Sequence, residues 1–172
     1  MIHYDFKPSN PTPAFSYGLN IYLEYKNFDL TLFWQGVQGV DIISDLKKET
    51  DLWSGLNIGF LNKGKRVLDA WTPTNPDSDI PALSRDDINN EKRVSTYFVE
   101  NGSYLKLRNL QIGYNVPENF AKKMKMERLR LYLSAQNLLT IKSKNFTGVD
   151  PENPNFGYPI PLNLTFGVNV SF

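Results

Sequence analysis

The chain has 172 residues, no Cys, one His, and 19 basic against 18 acidic side chains, a formal net charge of +1. Its length suits one ordinary domain, its charge balance argues against a dedicated nucleic-acid binder, and zero Cys removes disulfides, thiolate zinc sites and thiol nucleophiles together. The 23 aromatic residues, with 11 Gly, 11 Pro and 18 Asn, favour β-strands joined by many breaks.

The opening, MIHYDFKPSNPTP, lacks a basic region followed by an apolar core and so reads as no signal peptide. The first predicted strand covers 14–25: Phe15, Tyr17, Leu19, Ile21, Leu23 and Tyr25 take one face, with Ser16, Gly18, Asn20, Tyr22 and Glu24 between them. A tight turn at Lys26-Asn27 leads into a second strand, 28–37, where Leu30, Leu32 and Trp34 alternate with Asp29, Thr31, Phe33 and Gln35. The long connection 38–102 holds two weakly helical stretches, 41–54 and 64–71. A third strand, 103–114, presents Leu110, Ile112 and Tyr114, but Leu105 and Leu107 have the opposite parity, which predicts a bulge near Asn109. Residues 115–127 form a compact link with one or two helical turns between Pro117 and Met126. The fourth strand, 128–138, alternates through Leu129, Leu131, Leu133 and Ala135. After the Pro-, Asn- and Gly-rich link 139–161, the fifth strand, 162–172, alternates without a fault from Leu162 to Phe172.

Alternation alone fits a soluble β-sandwich as well as a membrane barrel. Three features favour the barrel. The strands run 10–12 residues, the length that crosses a bilayer, whereas strands of globular proteins cluster near five or six. Their polar faces use Asn, Ser, Thr, Gly and Gln, with charges mostly near the ends. Short and long connections alternate, as in outer-membrane barrels. Tyr25, Phe28, Tyr114 and Phe172 fall at one end of the strands, and Phe15, Tyr17 and Trp34 toward the other, as two interfacial girdles would. The expected fold is therefore all-β, an antiparallel transmembrane β-barrel segment. Parity places Lys26-Asn27 and 115–127 on the periplasmic side and the loops 38–102 and 139–161 outside the cell. The uncharged stretch from Asn153 to Phe172 carries three Pro and cannot be a membrane helix.

Five segments carry a family resemblance: PTPAFSYGLNIYLEYKNFDLTLFWQGVQG (11–39), DAWTPTNPDSDIPAL (69–83), VENGSYLKLRNLQIGYNVP (99–117), LRLYLSAQNLLT (129–140) and GVDPENPNFGYPIPLNLTFGVNVSF (148–172). Together they resemble the C-terminal part of a TonB-linked outer-membrane transporter of the SusC/RagA type. The resemblance implies import of oligosaccharides or peptides, a SusD-like surface lipoprotein as lid, a plug domain inside the barrel, energy from the TonB system, and outer-membrane lipid around the wall. It also implies that the last strand, through Phe166, Val168, Val170 and Phe172, is read by the assembly machinery, although the same residues serve equally as a lipid-facing stripe. The sequence carries no plug and no TonB box. Even small closed barrels need about eight strands, so five are expected to form an incomplete barrel, a fragment or one piece of a larger assembly that transports nothing alone.

Enzymatic chemistry finds little support, since His3 has no Ser/Asp partners for a triad. Asp77-Ser78-Asp79 lacks the Gly and closing Glu of a calcium loop and reads as a turn. Lys122, Lys123, Lys125 and Arg128 read as a solvated basic cluster, and no cofactor or metal is expected. Ligand or lipoprotein contact falls to Trp53, Trp71, Tyr97 and Phe98 in the long loop, with packing inside the loop itself as the alternative. The rival to the transporter reading is a soluble β-sandwich that binds carbohydrate through surface aromatics.

Overall fold

The computed structural model describes residues 9–52, 62–84, 86, 90, 93–154 and 157–172. The elements follow in order as β1 (Phe15–Tyr25), β2 (Phe28–Gln38), β3 (Asp41–Ile43), α1 (Asp45–Asp51), β4 (Val99–Asn101), β5 (Tyr104–Asn115), α2 (Glu118–Lys123), β6 (Arg128–Lys142) and β7 (Asn163–Ser171), with 3₁₀ turns at Lys65–Asp69 and Thr96–Phe98. β1, β2, β5, β6 and β7 form one antiparallel sheet in that order, a simple meander. β3 and β4 pair separately as a two-stranded ribbon.

Cross-strand register shows how the alternating pattern becomes a surface. Leu23 faces Leu30, Leu30 faces Ile112, Ile112 faces Leu133, and Leu133 faces Phe166. One apolar row thus crosses all five strands, and the rows through Ile21–Leu32–Leu110–Ala135–Leu164 and Tyr25–Phe28–Tyr114–Leu131–Val168 repeat it. Nothing among the described residues covers this face: Leu19, Leu23, Phe28, Ile112, Leu133 and Phe166 are all exposed. Such an apolar area on one face of a sheet requires an apolar environment outside it. A sandwich would cover that face with a second sheet; the only other strands described are the three-residue β3 and β4, so the sandwich alternative does not describe this fold.

Two local features set the geometry. The β1–β2 turn places Lys26 in the left-handed region at φ 54°, and Asn27 is stitched to the end of β5, receiving a bond from the Asn115 amide (2.8 Å) and donating one to the Asn115 carbonyl (3.0 Å). In mid-sheet, Phe33 opposes Asn109 but Trp34 opposes Leu107, which leaves Arg108 as the extra residue of a bulge. The bulge reverses the parity of β5. Below it, Leu110, Ile112 and Tyr114 point outward; above it, Leu105 and Leu107 do, and Tyr104 and Lys106 turn inward. β6 answers with its own irregularity at Asn137 (φ 56°) and continues to Lys142, four residues beyond the expected end.

Beyond one end of the sheet the long β2–β5 connection folds into a crown. Ser44 caps α1 by accepting from the Lys47 amide (3.2 Å), and its own amide donates to the Phe98 carbonyl (2.8 Å). Leu52, Tyr97 and Phe98 form the crown's small core, with the two rings edge to face at 5.2 Å.

Candidate functional site: the inner face and its strap

The inner face of the sheet is polar, and two ion-pair clusters mark its ends. Near the β1–β2 turn, Asp29 of β2 and Arg130 of β6 pair across the intervening strand β5. Arg130 donates from Nε to Oδ1 (3.0 Å) and from a terminal nitrogen to Oδ2 (2.5 Å), a two-pronged fork. The pair lies directly over Gly113, where any side chain would collide with both the carboxylate and the guanidinium. Asn115 adds a bond to Asp29 (3.3 Å). These groups border a cleft of about 490 Å³ together with Tyr22, Glu24 and Arg128. Tyr132 lies over its cross-strand partner Gly167 on the same face, an aromatic ring replacing the side chain that glycine lacks.

The second cluster is built on the upper half of β5. The side chain of Lys106 is 0% exposed, and its Nζ donates to both oxygens of Asp150 (2.7 Å each) and to Glu152 Oε2 (2.6 Å). Tyr104 donates its hydroxyl to Glu152 Oε1 (2.6 Å), and Arg108 pairs with the same oxygen. Arg108 also reaches Gln35 of β2 (2.7 Å) and Asn137 of β6 (3.5 Å), so the bulged residue ties three strands to one carboxylate. Burial alone raises the Glu152 carboxyl, but the bonds from Arg108, Lys106 and Tyr104 outweigh it and hold the group down at about 2. Two cations face two anions here, which is what lets a lysine be buried at all.

The carboxylates come from the β6–β7 connection, whose residues 143–154 fold back over the inner face as a strap. Asp150 caps its own turn by accepting from the Glu152 amide (2.9 Å). The strap is also tied to the crown: Glu100 of β4 accepts from the amide (3.0 Å) and hydroxyl (2.8 Å) of Thr147, and that hydroxyl lies 3.4 Å from Ser44. Among the described residues no buried side-chain nitrogen or oxygen lacks a partner.

The residues singled out from sequence separate into groups. Phe166, Val168 and Val170 lie exposed on the apolar outer face of β7, and Phe172, also exposed, follows its last residue. Trp71 is 39% exposed at the mouth of a self-tied loop, its amide bonded to the Ile80 carbonyl (2.8 Å). Tyr97 and Phe98 are turned inward, 7% and 1% exposed, and belong to the crown core. Tyr97 donates to the buried Asp51 (2.7 Å), which also pairs with Arg66 (3.4 Å), while Lys47 caps the ring face at 4.0 Å. The packing alternative thus describes these two aromatics. Trp53 and His3 lie outside the described residues. Ser78, between Asp77 and Asp79, bonds the Asp69 carbonyl and closes the loop that carries Trp71. Among the described residues no group of three His, Cys, Asp or Glu is placed to hold a metal ion.

Sequence reasoning passed over Asp29, Lys106, Arg108, Arg130, Asp150 and Glu152. Their signal was charge on the polar faces of β2, β5 and β6, matched by the acidic pair in DPEN.

An open antiparallel sheet, apolar outside and polar inside, with its long connections gathered at one end, is a wall segment of a transmembrane β-barrel. No helix among the described residues is long and apolar enough to cross a membrane. No family model matches the sequence. The chain is nevertheless homologous to one segment of the TonB-dependent receptors and resembles the SusC/RagA type. It is 38% identical to TonB-dependent receptor P3 and 34% identical to TonB-dependent receptor P26, both of Formosa agariphila, over 95% of its own length in each case. Among solved structures, the RagAB peptide transporter (31% identity) and the RagAB peptide importer in its open-open state (28% identity) each superpose with a TM-score of 0.78 over 95% of the chain. The chain spans 17% of the length of those two receptors and 18% of those two structures.

Proposed function

We propose that the chain is the C-terminal barrel wall of a TonB-dependent importer in a Gram-negative outer membrane. The observation that carries this reading is the apolar row that runs unbroken across five strands of 9–15 residues and is covered by none of the described residues. In this orientation the Lys26-Asn27 turn and 115–127 face the periplasm, and the crown and strap face outward. The polar inner face lines the lumen and meets the plug contributed by the rest of the receptor. With free edges on β1 and β7, the segment needs the remaining strands to close and does not transport alone.

The proposed cargo class is an oligosaccharide or a peptide, with a SusD-like lipoprotein seated on the crown. The kinship to the RagAB peptide importer supports the second cargo. Trp71, and Trp53 on sequence grounds, are the proposed aromatic contacts; Tyr97 and Phe98 hold the crown's shape. The outward stripe Phe166, Val168 and Val170, continued by Phe172, is proposed as the strand signal for barrel assembly as well as the lipid contact. Expression behind a signal sequence, followed by membrane fractionation, tests the reading. The chain is expected with the outer membrane, and a soluble, monodisperse product without detergent overturns it.

A further inference from the structure

The link between β5 and β6 carries side chains that the barrel wall does not use. In α2, Phe120 is 61% exposed, and Met124, at the helix's end and one turn further on, is 48% exposed. They stand on one side of the helix, four residues apart. Lys122, Lys123 and Lys125 are also exposed, and Lys123 lies 5.6 Å from the Phe120 ring. Between Glu118 and Arg128 there are four cations against two carboxylates. Ala121, on the side away from solvent, is fully buried, and the Met126 amide bonds back to its carbonyl (3.0 Å), so the turn has a fixed orientation.

Position decides what such a surface meets. Phe28 and Tyr114 pack together at 4.8 Å on the outer face, and Tyr25 beside them is exposed, so this row marks the edge of the apolar band. α2 starts three residues beyond the end of β5, roughly 10 Å along an extended chain, which is interfacial depth rather than bulk water. None of its residues lines the cleft at this end of the inner face. Its exposed Phe120 and Met124 thus stand clear of that cleft. An exposed Phe and Met set among lysines at that depth match an anionic phospholipid leaflet in both polarity and charge.

We propose that the 117–126 turn is an interfacial anchor: Phe120 and Met124 enter the headgroup region of the adjacent leaflet, and Lys122, Lys123 and Lys125 meet its phosphates. The inference rests on the membrane reading above, and the test separates the two. Phe120→Trp and, as a mid-strand control, Ile112→Trp are each made in the full chain with Trp34, Trp53 and Trp71 changed to Phe. Each is reconstituted into brominated phosphatidylcholine vesicles with or without phosphatidylglycerol. Both tryptophans are expected to be quenched and blue-shifted. Position 120 should respond more strongly with phosphatidylglycerol at low salt, and Lys122→Gln/Lys123→Gln/Lys125→Gln should abolish that difference. Quenching at 112 without quenching at 120 overturns the anchor and leaves the membrane reading standing. No quenching at 112 overturns both. Equal quenching at 120 in both lipid compositions overturns the role of the lysines.

Discussion

The wall and the crown solve opposite problems with the same chain. The wall keeps its large apolar residues outside, so its folded shape comes from the backbone ladder and from cross-strand pairs. The crown and the strap, with three clustered core side chains among the described residues, are held by buried charge: Asp51 between Tyr97 and Arg66 in the crown, Glu100 of the crown on Thr147 of the strap, and Lys106 of β5 between Asp150 and Glu152 of the strap. A ladder repeats, and each rung contributes little by itself; a buried ion cluster concentrates its contribution in a few atoms. Single substitutions should therefore act more sharply on the crown and strap than on the wall.

The largest effect is expected from Lys106→Met. It leaves Asp150 with only the Glu152 amide and Glu152 with Arg108 and Tyr104, a loss of about 3–5 kcal/mol for a broken buried pair. Hydrogen exchange in detergent should show the amides of 143–154 losing protection while the β1–β2 ladder keeps it. Equal loss in both regions would break the contrast between strap and wall. Gly113→Val is next. It forces Asp29 and Arg130 apart from across β5 and should cost about 1–3 kcal/mol, read as a lower midpoint of thermal unfolding in detergent. It is the wall's most sensitive point because it is the place where the wall, too, relies on a charge pair.

Tyr97→Phe removes one bond to a buried carboxylate and should cost about 1–2 kcal/mol, seen as faster proteolysis of the crown with the sheet intact. Acid gives a graded version of the first test. The Glu152 carboxyl is held at about 2, below its ordinary 4.5, so its contribution is complete above about 4.5 and fades as pH falls toward 2. Strap protection should fall over that window and recover on neutralisation. The smallest effect belongs to Glu118→Gln. Its partner Lys122 is as exposed as it is, and the unfolding midpoint should not move.

Period-two patterning made the five strands legible, because one face of each strand is uniform in polarity and nothing else produces that alternation. The parity break in NGSYLKLRN placed the bulge to within one residue of Arg108. Tyr97 and Phe98 show where pattern stops: an aromatic residue in a long loop has the same letters whether it packs inward or waits for a partner. Asp150 and Glu152 show the same limit over distance. They stand more than 40 residues from Lys106, and no local rule states that a loop will return to that strand.

By itself, then, the sequence determined the five long strands and which face of each is apolar. Those depend on side chains a fixed two residues apart along an extended backbone. Only the tertiary structure decided which charges meet, that the bulge turns Lys106 inward, and that the strap lies across the inner face. The reason is physical: a buried charge is tolerated only beside its counter-charge, and that requirement is met in space, between segments the sequence keeps apart.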